Sequence, residues 1–222
     1  MIPSPRHIPE VIQPIKDILY PEHDVIWFKY YPELEAYNTA RKFFLDKNYD
    51  YMCIIPDDLI INKEGIDILL EELKTEKYKV LAGVCNLSYL SDLQFSKIAA
   101  SHEKQGFITK TELEKMDDIT KVYWIGFSCY FIHRSVLEIM EFESRNYNGL
   151  DDNMALNLKV AGIDQYICKR AMFTHLKGLS SRYIKSVTVN PDIIYTGKRE
   201  KFIIFHTPPK KVAVVADPSM VG

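Results

Sequence analysis

Long apolar runs are missing from this 222-residue chain. None approaches the ~20 residues that a bilayer-spanning helix needs, and no secretory signal opens it. The sequence therefore predicts a soluble, cytoplasmic protein, with peripheral membrane contact left only to the tail. Net charge is missing too: 28 Lys and Arg against 30 Asp and Glu leave a formal charge of −2. That argues against non-specific nucleic-acid binding, which draws on a strongly basic patch. Cysteines are few, and the four present (Cys53, Cys85, Cys129 and Cys168) stand in separate apolar segments without zinc-site spacing. They read as reduced core residues, because a chain of this size does not need a disulfide framework. There is no internal repeat, no low-complexity tract and no Gly-rich loop.

What is present alternates. A Pro3-Ser4-Pro5-Arg6 loop is followed by a helical stripe over 8–19, with Pro14 expected to kink or shorten it. Residues 24–28 read as a strand, 33–47 as a helix and 51–55 as a buried strand. Asn62 can cap a helix over 63–74, and 78–84 is another strand. This order predicts an α/β fold with a mostly parallel central sheet flanked by helices. Residues 87–121 are polar and lack a long apolar stripe, so they read as a mobile excursion of the kind that serves as a lid. Residues 122–133 form the longest strand-like segment, followed by helices over 135–140 and 151–160, with Gly162 ending the second, and a short strand at 166–168. Beyond 179 the chain is basic and punctuated by prolines until the strand-like run 211–215. That run would pair at a sheet edge in this chain or in a neighbouring copy, the latter giving a homodimer.

Three stretches could carry chemistry. The strand at 51–55 ends in Asp57-Asp58, at the edge where open α/β sheets bind ligands. Adjacent carboxylates there either bracket a cation or are two coincidental surface acids in a turn. Asp151 and Asp152 open a helix after Gly149, which is the place of a capping carboxylate and also of a base if it faces a cleft. His175 follows a short strand. It is either a metal ligand through its neutral imidazole or an ordinary surface or core histidine.

Taken in order, a strand ending in acids, a variable loop, Trp124-Ile125-Gly126-Phe127, a G-x-D helix start and a late H-x-K-G (175–178) resemble the GT-A fold glycosyltransferases. The resemblance is strongest to the large inverting family that includes cellulose-synthase-like and O-antigen enzymes, and it covers roughly residues 1 to 180. It implies a nucleotide-diphospho-sugar transferase with one catalytic domain over 1–185. Within it, 1–86 would be the nucleotide half, 87–121 a variable loop and 122–185 the acceptor half, with 186–222 an extension. The family's DxD acids bind Mn²⁺ or Mg²⁺ on the donor diphosphate. Here Pro56-Asp57-Asp58 occupies that place, so proline stands for the first acid, Asp58 matches the metal-binding second aspartate and Asp57 is the other candidate. His175 matches the histidine with which some of these enzymes complete the metal shell, and Lys177 would then meet phosphate.

Counting back from Gly162, the helix start matches Asp151 to the catalytic base, with Leu150 in place of the usual glutamate and Asp152 placing the acceptor. Pro3, Ser4 and Arg6 resemble the first nucleotide-binding loop, Asn38 and Arg41 the segment beside the nucleotide, and Tyr30 a residue that stacks on the base. Trp124, Gly126 and Phe127 would face the acceptor, the two aromatics serving either as a sugar platform or as core. The implied reaction is metal-dependent, inverting transfer of a sugar, as by a hexosyltransferase, from a nucleotide-diphosphate sugar to a hydroxyl of a glycan, protein or lipid. Three alternatives stand beside it. One is a nucleotidyltransferase, although the Gly-rich opening loop of that class is missing. A second is a non-catalytic binding scaffold, which Pro56 and Leu150 favour. The third is a retaining transferase.

Overall fold

A computed structural model describes residues 2–4, 9–20, 22–29, 32–87, 97–103, 106–144, 149–176, 192–197 and 200–206. The chain opens with β1 (Ile2–Ser4), α1 (Pro9–Leu19), β2 (Val25–Lys29), α2 (Glu33–Leu45), β3 (Tyr51–Ile54), β4 (Leu59–Ile60), α3 (Lys63–Leu73) and β5 (Val80–Cys85). It continues through β6 (Lys97–His102), β7 (Gly106–Thr109), α4 (Lys110–Lys115), β8 (Ile119–Val122), β9 (Trp124–Ile125), β10 (Tyr130–His133), α5 (Arg134–Leu137), α6 (Leu150–Val160) and β11 (Gln165–His175). The last described elements are β12 (Asp192–Gly197) and β13 (Glu200–His206). The helices start where local chemistry starts them: Asn62 accepts from Gly65 N at 2.7 Å to cap α3, and Gly162 takes φ +67° beyond the end of α6. Helix α1 continues through Pro14.

The central sheet has the order β3-β10-β5-β11-β4, with β8 also on β11. Smaller sheets are β1-β2-β12-β13 and β7-β6-β9. The fold is thus mixed α/β, but the expectation of mostly parallel pairing is corrected. Among the described strands only β1–β2 and β5–β11 pair in parallel, and the other pairings are antiparallel. The cause is β10, which enters between β3 and β5 and runs against both. Strands β3, β5 and β11 still run in one direction, as βαβ connections require. Their neighbours, however, are reversed.

Two further expectations change. Residues 122–133 are not one strand, because the chain breaks after β9 and crosses Gly126–Cys129 before β10 begins. The expected lid at 87–121 is, over its described part, the hairpin β6–β7, helix α4 and strand β8. It has no long stripe because each short element gives the core at most three residues: Ile98, Ala99 and Ala100 of β6, Ile108 of β7 and Leu113 of α4 are buried. A Thr109/Glu112 capping box starts α4. Residues 211–215 lie outside the described chain.

Period-2 alternation sends the central strands into two cores. Met52, Ile54, Val80, Ala82, Tyr130 and Ile132 pack with Tyr37, Phe44 and Met154 of α2 and α6. Leu81, Cys85, Cys129 and Phe131 pack with Ile15, Ile66 and Leu69 of α1 and α3. Burying a side chain such as Leu69 contributes about 2 kcal/mol. At the end of β11, the ring of Phe173 lies where Gly65 and Gly83 lack side chains. A Cβ on Gly83 would stand 2.7 Å from the Ala171 carbonyl oxygen and clash with the Phe173 ring. Gly83→Ala is therefore expected to cost about 2–3 kcal/mol in urea unfolding. A loss below about 0.5 kcal/mol would show that the Phe173 seat yields freely.

Candidate functional site

Because β3, β5 and β11 run the same way, their carboxyl ends lie along one edge, and each delivers a polar residue there. Asp57 and Asp58 form the corner of a turn after β3, closed by Leu59 N donating to Pro56 O at 3.3 Å. Asn86 follows β5, and His175 ends β11. Strand β4 leaves the turn and pairs with β11 so that His175 stands opposite Leu59, while Leu176 N donates to Asp58 O at 2.8 Å. These bonds bring His175 Nε2 to 3.2 Å from Asp58 Oδ2, across 117 residues of sequence. Asp57 and Asp58 are 3% and 8% exposed, so neither is a coincidental surface acid.

The contact has an electrostatic consequence. His175 Nδ1 lies 3.2 Å from the Asn86 carbonyl oxygen, which only accepts, so Nδ1 carries the hydrogen. In a neutral imidazole Nε2 then points a lone pair at the Asp58 carboxylate, another acceptor. Two acceptors in contact need a cation between them, either a proton or a metal ion. Ligating histidines characteristically donate their other N–H to a carbonyl in this way. The buried side-chain oxygen Asn86 Oδ1 nearby has no hydrogen-bond partner among the described residues. Among those residues no cluster of three His, Cys, Asp or Glu able to hold a metal forms. The pair therefore fits an ion completed by ligand phosphate and water, as Mg²⁺ sites commonly are. A closed protein cage is not formed by these residues.

Asp151 sits in the first turn of α6 and Asp152 N donates to its Oδ1 at 3.0 Å, so it does act as a capping carboxylate. A Cβ on Gly149 would collide with that oxygen. Capping and the helix dipole lower a carboxyl's proton affinity, but burial and then the neighbouring Asp152 outweigh them and lift Asp151 from 3.8 to about 6. Asp152 itself is exposed.

Both acidic groups bear on the titration of Tyr37 of α2, which the sequence shows only as one of several residues on a core stripe. Its phenol is held well above the ordinary value by burial first, then by Glu33, Asp151, Asp57 and Asp58. Asp58 and Asp151 therefore act on one buried hydroxyl. Tyr130 is raised as well, by burial and by Asp151. The sequence signal was slight: a tyrosine on an apolar face must place its hydroxyl somewhere.

The remaining candidates are distributed unevenly. Phe127 is buried and packs on Tyr37, Tyr130 and Phe142, as a core residue does. Gly126 N donates to Ala99 O at 2.8 Å. Trp124 is half-buried with its ring edge-on to exposed Phe107 at 5.5 Å, and its indole N–H has no partner among the described residues. Asn38 exchanges two hydrogen bonds with the Phe142 backbone. Arg41 binds Leu137 O and Glu141. Both side chains thus tie α2 to 137–142. Pro3 and Ser4 lie in β1, opposite Phe28 and Lys29. Arg6, Tyr30 and Lys177 fall outside the described residues.

Comparison with known proteins places this arrangement only at the level of fold. No protein-family model matches the chain, and no curated protein matches it. Among solved structures, A197 from STIV superposes with a TM-score of 0.55 at 15% identity, over 97% of each chain. The two share a fold. The inositol-1-phosphate CTP transferase from T. maritima aligns at a TM-score of 0.39 and 14% identity, over 68% of this chain and 59% of that one. That is too low to carry an argument.

The raised proton affinity of Asp151 has a sign. The native state holds this proton more tightly than the unfolded chain, so its stabilisation is complete below about pH 4 and lost as pH rises through 6. Asp151→Asn keeps the shape without the charge. It is expected to unfold at a higher temperature than the parent at pH 7, by on the order of 1–3 kcal/mol, with the gain vanishing near pH 4. Equal melting temperatures at pH 7 would show that Asp151 is not strained by its surroundings.

Proposed function

We propose that this chain is a metal-dependent transferase that moves a sugar from a nucleotide-diphosphate donor to an acceptor hydroxyl, with inversion. The observation that carries the reading is the Asp58–His175 contact: an imidazole nitrogen and a buried carboxylate oxygen at 3.2 Å, at the carboxyl edge of the sheet, with the other ring nitrogen at the Asn86 carbonyl. Asp58 and His175 would hold a Mn²⁺ or Mg²⁺ ion, with Asp57 beside them. When bound, that ion supplies charge neutralisation for a departing diphosphate.

The residues of the chain do the rest. Asp151, with its proton affinity near 6, is about ten-to-one ionised at pH 7. It is nonetheless basic enough to take a proton from an attacking hydroxyl, which an ordinary aspartate does less well. The first-turn N–H groups of α6 keep its oxygens aimed. Tyr37, neutral because burial and four acids hold it so, packs its ring against Phe127 and Phe142. Half-buried Trp124, with Phe107, offers an aromatic face for the acceptor, and Asp152 an exposed carboxylate beside it. A single base acting on one displacement gives inversion.

The test is direct. Incubation with a panel of nucleotide sugars, Mn²⁺ and acceptor hydroxyls should release nucleoside diphosphate; pyrophosphate release would instead identify a nucleotidyltransferase. Turnover should rise with pH through about 6 as Asp151 loses its proton. Asp151→Asn should lower it at least a hundredfold while leaving donor binding within about twofold. Asp58→Ala and His175→Ala should abolish the Mn²⁺-dependent part of donor binding in calorimetry. Unchanged isotherms in both variants would leave the pair a structural ion pair and sink the proposal.

A further inference from the structure

Two thiols expected to be inert core residues face each other behind this site. Cys53 Sγ of β3 lies 3.7 Å from Cys129 Sγ, in the chain crossing that precedes β10. Cys129 is fully buried, and burial followed by its Cys53 neighbour raises its thiol well above the ordinary value. Cys53 is half-buried and lines a cleft of about 1270 Å³ with Tyr51, Met52, Phe131 and His133. One thiol-bearing residue therefore borders the cleft while its partner is wholly buried. The backbone at Cys129 has φ +54°, a conformation rare for a residue with a side chain. It is held there by Ser128 Oγ donating to Gly83 O at 2.9 Å and by Gly83 N donating to Cys129 O at 3.4 Å.

We propose that Cys53 and Cys129 form a dithiol that closes to a disulfide under oxidation. The sulfurs must approach by about 1.7 Å to reach bonding distance, a movement that side-chain rotation and a small shift of the 126–129 crossing supply. With a low-molecular-weight disulfide such as oxidised glutathione as the oxidant, the Cys53 thiolate attacks one sulfur and expels one glutathione thiolate. Cys129 then loses its proton and attacks the Cys53 sulfur, expelling the second. The protein gives up two electrons and two protons, and glutathione disulfide becomes two glutathione thiols. The buried resolving thiol makes the second step the slow one. Closure would tie the 126–129 crossing to β3. Phe127 in that crossing packs on Tyr37 with ring centroids 5.3 Å apart, and β3 leads into Asp57 and Asp58. Oxidation is thus coupled to the proposed donor site, a consequence that rests on the transferase reading, whereas the cross-link itself does not.

The experiment treats the full chain with oxidised glutathione, quenches with acid, alkylates free thiols and maps peptides by mass spectrometry without reduction. The expected product is one Cys53–Cys129 link, with Cys85 and Cys168 alkylated. Cys53→Ser should leave Cys129 alkylated. If that variant misfolds, Cys129→Ala, stalling as a glutathione adduct on Cys53, serves in its place. In the wild type, a persistent adduct on Cys53, scrambled links, or thiols that all remain free would overturn the proposal. Calorimetry of the oxidised and reduced protein with Mn²⁺ and the donor should differ at least threefold in Kd, restored by dithiothreitol. A complete cross-link with equal affinities would overturn the coupling. A reduced protein that binds no nucleotide sugar would count against the transferase reading and leave the cross-link result standing.

Discussion

The carboxyl edge of the sheet depends on the short pairing of β4 with β11. Those few backbone bonds set His175 opposite Leu59 and tie Leu176 to Asp58, and they bring the imidazole Nε2 to 3.2 Å from a buried carboxylate. A histidine–carboxylate contact of this kind is satisfied by one positive charge, a proton on the imidazole or a metal ion. The seat of Phe173 over Gly65 and Gly83 explains how the fold enforces it. The ring is locked two residues before His175, so the histidine cannot swing away without unpacking the core. The fold thus fixes the distance between the two side chains through backbone pairing and core packing.

The same tension recurs around Tyr37. Glu33, Asp57, Asp58 and Asp151 all raise its proton affinity, so one neutral phenol stands among four acids. Asp151 is accommodated only by taking up protons more readily, near pH 6. A protein selected for stability alone would have an asparagine there. The raised proton affinities of Tyr37 and Asp151 share one cause, burial beside neighbouring acids.

The main helices, the Asn62 cap, the strand before Asp57 and the apolar strand β5 could all be read from period, apolar runs and capping chemistry. Those signals are local. The antiparallel insertion of β10, the break at 126–129 and the hairpin in 97–109 could not, because they depend on which strand neighbours which. Short elements that bury one to three residues each leave no long period to detect; the Thr109-x-x-Glu112 pattern was the one usable sign of order in that region. Within the site, Asp57, Asp58, Asp151 and His175 stood out because acids and a histidine at element ends are informative by position. Tyr37 and Asn86 did not, since a tyrosine on an apolar stripe and an asparagine after a strand carry no mark of what they face. Asn38 and Arg41 carry the residue types of a ligand-binding segment, but here their polar atoms hold α2 against 137–142.

The mistaken sheet and the correctly placed edge are compatible for a geometric reason. Where a strand's end lies is set by its direction, and direction follows from the βαβ connections through α3. Which strands exchange hydrogen bonds is a separate matter, decided by what the chain inserts later. Strand β10 reverses the pairing on both sides without turning β3 or β5 around, so Asp58, Asn86 and His175 reach the same edge whether the sheet is parallel or not. A site built from strand ends is therefore robust to the part of the topology that sequence patterns read worst. The contact between Asp58 and His175 needs only three codirectional strands and the two-residue return of β4. Any chain that keeps those four elements keeps the geometry, whatever it inserts between them.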